Sequence, residues 1–588
     1  MKRALSLLLL ASGIAVSAPA LDREAFTVTR YQLDVQIDRT SHVMAVTGKL
    51  TLRNDSKVPQ KNAALQVSSS LRWNGIAIAD QPAEWIEDDY TSDIDHTGLL
   101  SEAIVNLPTA IPSGGTIVLD VQFGGRVTAD STRLTRMGAP AELALRNDWD
   151  QISPSFTAVR GLGYVLWYPV SISAVSLSDG NAVVDAIAAW KRRHQQSTFH
   201  AHVSVIDEDA RLCIAGTAMA STCGVLSKTD DPRSEGITNQ ISNDIRLSGL
   251  AQAVPAFAVA EYTRLERPGL ALSYIRDQAS VAQDYATAAE ANQSMLNEWL
   301  GSSSNTATVI ALADLNANPY QSGSLLLAPL RRSQSATIEQ LLIPVQVAAR
   351  FRSPRPWIEN GLQRFLQAIN IERHSGRKTA LQFLDEYRLP LVKVEEAEAN
   401  PGDKENHARE SPGNRTLLNT ADEILLRGKG SYVFWMLRDM IGDAPLEKAL
   451  TGYRPESDTN PGYFQGLLLE NSARDLAWFF EDWVYQDLGL PEFRIDNVYA
   501  RPQADDPNKL YLVTTTIENL GGASAEVPVS IQTSSGERWV RMLVKARQKN
   551  SERTQLPAAL TRVVVNDGSV PEVDPSNNTF DVPPKSEP

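Results

Sequence analysis

The stretch SPRPWIENGLQRFLQ, Ser353 to Gln367, decides how this chain is read. Trp357 and Phe365 recur at a spacing that packs one helix face against its neighbours, so they report fold rather than activity. Between them stand a carboxylate, Glu359, and a neutral amide, Asn360. One helical residue is about 100° of rotation, so only one of these two can face a given site.

Working outward, the chain has 588 residues, too many for one core; the length prior is about three or four domains. With 43% hydrophobic and 21% charged residues it is ordinary globular material. Its 56 Lys and Arg against 70 Asp and Glu give a net charge of −14, which lacks the basic footprint of a nucleic-acid binder. The opening MKRALSLLLLASGIAVSAPA sets Lys2 and Arg3 before an apolar run and ends on Ala18-Pro19-Ala20, the pattern of a cleaved secretory signal over residues 1–20. No later apolar run is long enough to span a bilayer, so export to the periplasm or outside the cell is expected, with no transmembrane segment in the mature chain. The only cysteines, Cys213 and Cys223, are close together, and an oxidising compartment lets them pair.

From Tyr31 the pattern has period two: Tyr31, Leu33, Val35 and Ile37, then Val46, Gly48, Leu50 and Leu52, then Ile117, Leu119, Val121 and Phe123. Residues 21–248 therefore read as an antiparallel β domain. The run from Ser273 to Gly301 is Ala-rich and helical, and helical patterning dominates residues 249–493. Within them, 394–414 is charged, carries Pro and Gly and lacks an apolar period, which suits a surface insertion. Alternation returns over 494–588, where short strands suggest an immunoglobulin-like sandwich. The expected class is multidomain α+β.

Four stretches carry a more specific signal: LGYVLWYPV from Leu162, WIENG from Trp357, KGSYVFWMLRDMIGD from Lys429 and LAWFFEDWVYQDLGLPEF from Leu476. Together they resemble the gluzincin zinc aminopeptidases of the membrane-alanyl-aminopeptidase type, over roughly residues 25 to 495. The resemblance implies an N-terminal β domain, a thermolysin-like helical domain and zinc-dependent removal of N-terminal residues. That chemistry uses HExxH on a helix, two His one turn apart on zinc with the Glu as general base, and a later Glu as third ligand.

No HExxH occurs here, and no His lies between His202 and His374. Aligned back from Trp357, the two His positions hold Pro344 and Ala348, the general-base position holds Val345, and the third-ligand position holds Asn360. A neutral amide is a poor zinc ligand. The strand that anchors the substrate amine resembles GSLLL, where Gly323 is kept and the carboxylate becomes Leu326; the transition-state Tyr falls on Arg427. Gly323, Leu326, Glu359 and Arg427 remain as cleft candidates. Arg331, Arg332, Arg350, Arg352, Arg355 and Arg427 could instead make the pocket anion-binding.

Other devices are poorly supported. YQSGSLL only echoes a serine nucleophile elbow, Glu395 and Glu396 belong to a solvated charge run, and His200 with His202 share a strand face as surface histidines commonly do. The expectation is an exported aminopeptidase-fold protein without zinc or other cofactor, acting as a peptide- or protein-binding scaffold. The alternative is a divergent active zinc aminopeptidase whose ligands lie outside the motif.

Overall fold

The computed structural model describes residues 21–206, 212–223, 240–251, 253–399, 416–420, 422–503 and 510–582. The expected signal at 1–20 lies outside them, as does 400–414 of the expected insertion.

The period-two runs form a seven-stranded sheet. An inner strand, Phe26–Asp38, pairs antiparallel with Val43–Asn54 and parallel with Thr198–Ile206. The parallel pair departs from the all-antiparallel expectation: a long crossover, which includes helix α1 (Ala182–Arg193), returns the chain to the same side of the sheet. A three-stranded sheet of Gln60–Ser68, Leu99–Ile111 and Glu84–Thr91 faces it across a core that contains Tyr31, Val46, Leu65 and Phe123. LGYVLWYPV lies in that core, with Trp167 edge-on to Tyr168, Phe199 and Phe257.

Cys213 and Cys223 sit directly opposite in a hairpin and are disulfide-bonded. Phe257–Ala260 completes this four-stranded sheet by pairing with Cys213–Gly216 and Thr157–Val159, so the first unit's strands continue past the expected boundary at 248.

A five-stranded sheet follows, with strands in the order Tyr262–Arg267, Leu270–Ile275, Ala307–Ala311, Leu325–Ala328 and Tyr320–Ser322. Ser273 to Ile275, expected to be helical, are strand residues here, because all three pair with Tyr262–Arg267 and Ser273 also pairs with Ile310; helix α2 begins at Ala279 (Ala279–Ala291). The helices that matter for the site are α3 (Ser335–Arg350), α4 (Pro356–Ser375), α5 (Arg388–Ala399) and α6 (Gly430–Ile441). Helix α5 runs through the first residues of the expected insertion. The C-terminal strands form two antiparallel sheets, of three and four strands, that share one apolar cluster with the helices.

Candidate functional site

Helices α3 and α4 form a hairpin whose crossing level is set by two glutamines. Gln340 Nε2 donates to the Gln367 carbonyl at 3.3 Å, and Gln367 Nε2 donates to the Gln340 carbonyl at 2.8 Å. The second bond has a local cause. Pro344 lies inside α3 and has no N–H, so the Gln340 carbonyl one turn earlier loses its helical partner. Gln367 supplies the missing donor from the facing helix. Counting equal rises from that pair brings Pro344 level with Gln363 and Ala348 level with Glu359, next to Asn360.

These positions do not suit zinc. Pro344 and Ala348 have no side-chain donor, and Val345 is fully buried in the apolar cluster that also holds Leu326. Asn360 spends its amide N–H on the Pro356 carbonyl one turn back, at 2.9 Å. Zinc wants imidazole, thiolate or carboxylate ligands, none of which these four residues provide.

Glu359 serves the α3–α4 turn instead. Its carboxyl accepts the Ser353 N–H at 2.8 Å, Ser353 Oγ contacts the Tyr453 hydroxyl at 2.7 Å, and Tyr453 in turn donates to Asp458, which Arg355 holds at 3.0 Å. Burial pushes the Glu359 carboxyl up to about 8, against the pull of the Ser353 N–H and the Arg352 charge. The raised value favours the protonated acid over the carboxylate that a metal ligand would be.

Gly323 turns the chain in a left-handed conformation, φ 56°, between the edge strand and Leu325–Ala328. Leu326 is buried. Gln321, on the edge strand, reaches the Gly323 carbonyl at 3.1 Å and Gln363 of α4 at 3.5 Å. Gln321, Gln340, Asn360, Gln363 and Gln367 therefore form a row of half-buried amides along the hairpin. The three on α4 recur at i, i+3 and i+7, a helical-face signal present in the opening stretch. Gln321 and Gln340 lie on other elements and have no such local mark.

The retained motifs are explained by packing. A Cβ on Gly361 would stand 2.6 Å from the Gly430 carbonyl carbon, so α4 and α6 cross where neither has a side chain. Trp357 packs on Phe434. Lys429, buried, pairs with Asp487 and joins the KGS and EDWVYQDLG stretches. Arg427 occupies a π-helical turn, Ile424–Lys429, that leads directly into α6. Of the other arginines, Arg331 binds the Leu315 and Ala317 carbonyls, Arg332 contacts Ser280, Arg350 binds Asn297, and Arg355 binds Asp458. Arg352 is exposed.

Elsewhere, His200 and His202 both contact one oxygen of Asp244, at 3.3 and 3.0 Å, and Arg246 holds the other. Among the described residues, no group of three or more His, Cys, Asp or Glu side chains is arranged to hold a metal ion. Nor is any helix among them long and apolar enough to cross a membrane.

Among solved structures, the chain is similar to a crystal structure of Legionella pneumophila aminopeptidase A in complex with aspartic acid, at TM-score 0.56 and 13% identity. The likeness covers 93% of this chain but 59% of that one. The fold is aminopeptidase-like. At this identity the likeness establishes the fold alone. No family model matches the sequence, and no curated protein matches it.

Proposed function

We propose that this chain is a gluzincin-type aminopeptidase relative that has lost zinc and catalysis and binds a peptide or a peptide-like segment of a protein along the α3–α4 hairpin. The observation that carries this reading is the rebuilding of the ligand positions. Pro344 is accommodated by Gln367, Asn360 is bonded to its own helix, and Val345 has joined the core. None of the three supplies a metal ligand or a general base.

Peptide binding is supported by what lines the hairpin. Side-chain amides donate and accept at once, which matches a peptide backbone. Tyr320–Ser322 ends its sheet beside them, the kind of edge on which an extended segment can add a strand. Export is part of the proposal, and the Cys213–Cys223 disulfide accords with an oxidising compartment.

The test is metal content by mass spectrometry after zinc loading and dialysis, together with hydrolysis of amino-acid arylamides. The expected result is no stoichiometric zinc and no turnover. One retained zinc per chain with arylamide release would overturn the proposal and restore a divergent metallopeptidase.

A further inference from the structure

The seven-stranded sheet has an outer face, turned away from its core, on which Gln32, Asp34, Thr47 and Gln122 are exposed. The sheet bends at Gly48, Gly124 and Gly125, where a Cβ would stand 2.2, 2.6 and 2.1 Å from a neighbouring backbone carbonyl oxygen. Glycines at such close approaches let a sheet curve. The curved face holds a trough of about 700 Å3, within the size range of small-molecule sites.

Strand register fixes which side chains meet there. One rung runs Asp244, His202, Asp34, Thr47, Gln122 and Gly75, one residue from each of six adjacent strands. Cβ atoms on adjacent positions of a rung are about 5 Å apart, so Asp34 has His202 on one side and Thr47 on the other. The next rung on the same face carries Arg246, His200, Lys49 and Asp120. Most of these charges are already met. Lys49 binds Asp120 at 2.6 Å, and Asp244 accepts from Arg246, His202 and His200. Asp34, the Thr47 hydroxyl and the Nε2 of His202 have no hydrogen bond or ion pair among the described residues. Arg246 and then His202 hold the Asp244 carboxyl down to about 2, so it is an ionised acceptor. The His202 Nδ1 that faces it at 3.0 Å therefore carries the proton, and in the neutral ring Nε2 keeps its lone pair. A carboxylate, an imidazole lone pair and a hydroxyl oxygen thus stand side by side, each able to accept a hydrogen bond.

We propose that Asp34, His202 and Thr47 bind the primary ammonium group of a small amine. An ammonium has three donors, one for each acceptor, and a charge that Asp34 neutralises. The uncharged body of the amine lies toward Gly75, Ala77 and Pro82, where the trough is lined by small or apolar residues. Lys49 and Arg246 come from strands on opposite sides of Asp34, so a second positive pole on the ligand meets repulsion. The trough shares no residue with the α3–α4 hairpin and stands whether or not that hairpin binds a peptide.

The test is titration of the full chain with n-butylamine, 1-butanol and 1,4-diaminobutane, followed by saturation-transfer NMR and calorimetry. Wild type is compared with Asp34→Asn, Thr47→Val and His202→Phe, with melting temperatures as the control for folding. Butylamine is expected to bind at least about tenfold tighter than butanol, and Asp34→Asn to remove that advantage. Thr47→Val and His202→Phe should each weaken butylamine about two- to tenfold, the range for one hydrogen bond, and leave butanol unchanged. Equal binding of amine and alcohol, an amine affinity untouched by Asp34→Asn, or no binding of butylamine by either method would overturn the site. Diaminobutane binding tighter than butylamine would overturn its preference for a single positive pole. An acetylated lysine peptide binding much tighter than butylamine would overturn the small-amine assignment and make the trough a surface for protein lysine side chains.

Discussion

Replacing Gln367 by Ala tests how the altered helix was rebuilt. The change removes the amide that completes the Gln340 carbonyl, left without a helical partner by Pro344. A carbonyl stranded in a packed hairpin costs about 1 to 3 kcal/mol, so Gln367→Ala should destabilise wild type by about 2 kcal/mol. In a Pro344→Ala background residue 344 regains an N–H one turn from Gln340, and the same substitution should then cost only about 0.5 kcal/mol. The coupling is therefore about 1.5 kcal/mol, well outside the about 0.5 kcal/mol scatter of independent sites. Pro344→Ala alone should stabilise by about 1 to 2 kcal/mol, because a helix-interior proline costs about 3 kcal/mol and its rigidity in the unfolded chain returns only part. The assay is urea unfolding of the four proteins, followed by tryptophan fluorescence. Additive effects, or a Pro344→Ala variant less stable than wild type, would refute the claim that Gln367 compensates the proline.

Four further outcomes are expected. The Glu359 carboxyl is raised to about 8 in the fold and ionises at 4.5 otherwise, so between those values the folded state keeps a proton the unfolded state has released, and stability falls as pH rises. At about 1.4 kcal/mol per pH unit the ceiling is about 5 kcal/mol; solvent reaching the side chain reduces the expected gain of Glu359→Gln to about 2 to 3 kcal/mol at pH 8, with none at pH 4, and a flat difference across that range would be contrary to the burial argument. His194 is stacked on Trp190 and held down to about 3, so its contribution is intact above pH 6.5 and is lost as pH falls from 6.5 toward 3; the stability difference between His194→Phe and wild type should move in the variant's favour over that window in pH-resolved melting. Lys429→Met should cost about 3 kcal/mol by stranding Asp487, and adding Asp487→Asn should recover much of it in a denaturation cycle. Reduction of Cys213–Cys223, a separation of 10 residues, should lower stability by about 2 to 3 kcal/mol, read as a melting shift with and without reductant.

How much was legible beforehand varies by element. The alternating faces of Tyr31 to Ile37 and Leu119 to Phe123 announced half-buried strands, and those residues are buried. Ser273 to Ile275 misled, because a strand followed closely by a helix blurs both periods in one apolar run. The place of Phe257–Ala260 in its sheet carries no local mark, because the strand is short and its partners lie far back in the chain. At the site, the rotation separating Glu359 from Asn360 and the loss of donors at Pro344 and Ala348 could be stated from residue types alone. The partnership of Gln340 with Gln367 could not, because the helical-face spacing that marks Gln367 does not say which residue of another helix it meets, and Gln340 carries no local mark.

The sequence by itself determined what is local or is a matter of identity. It determined the strand and helix periods, the absence of HExxH, the neutral amide at 360 and the close cysteine pair. Tertiary structure decided what each polar group meets. It set Gln367 under the carbonyl orphaned by Pro344, closed α4 on α6 through Gly361 and Gly430, and desolvated Glu359. The reason is physical: backbone preference and apolar period act within a few residues, whereas desolvation, pairing and charge depend on which distant segments share a neighbourhood.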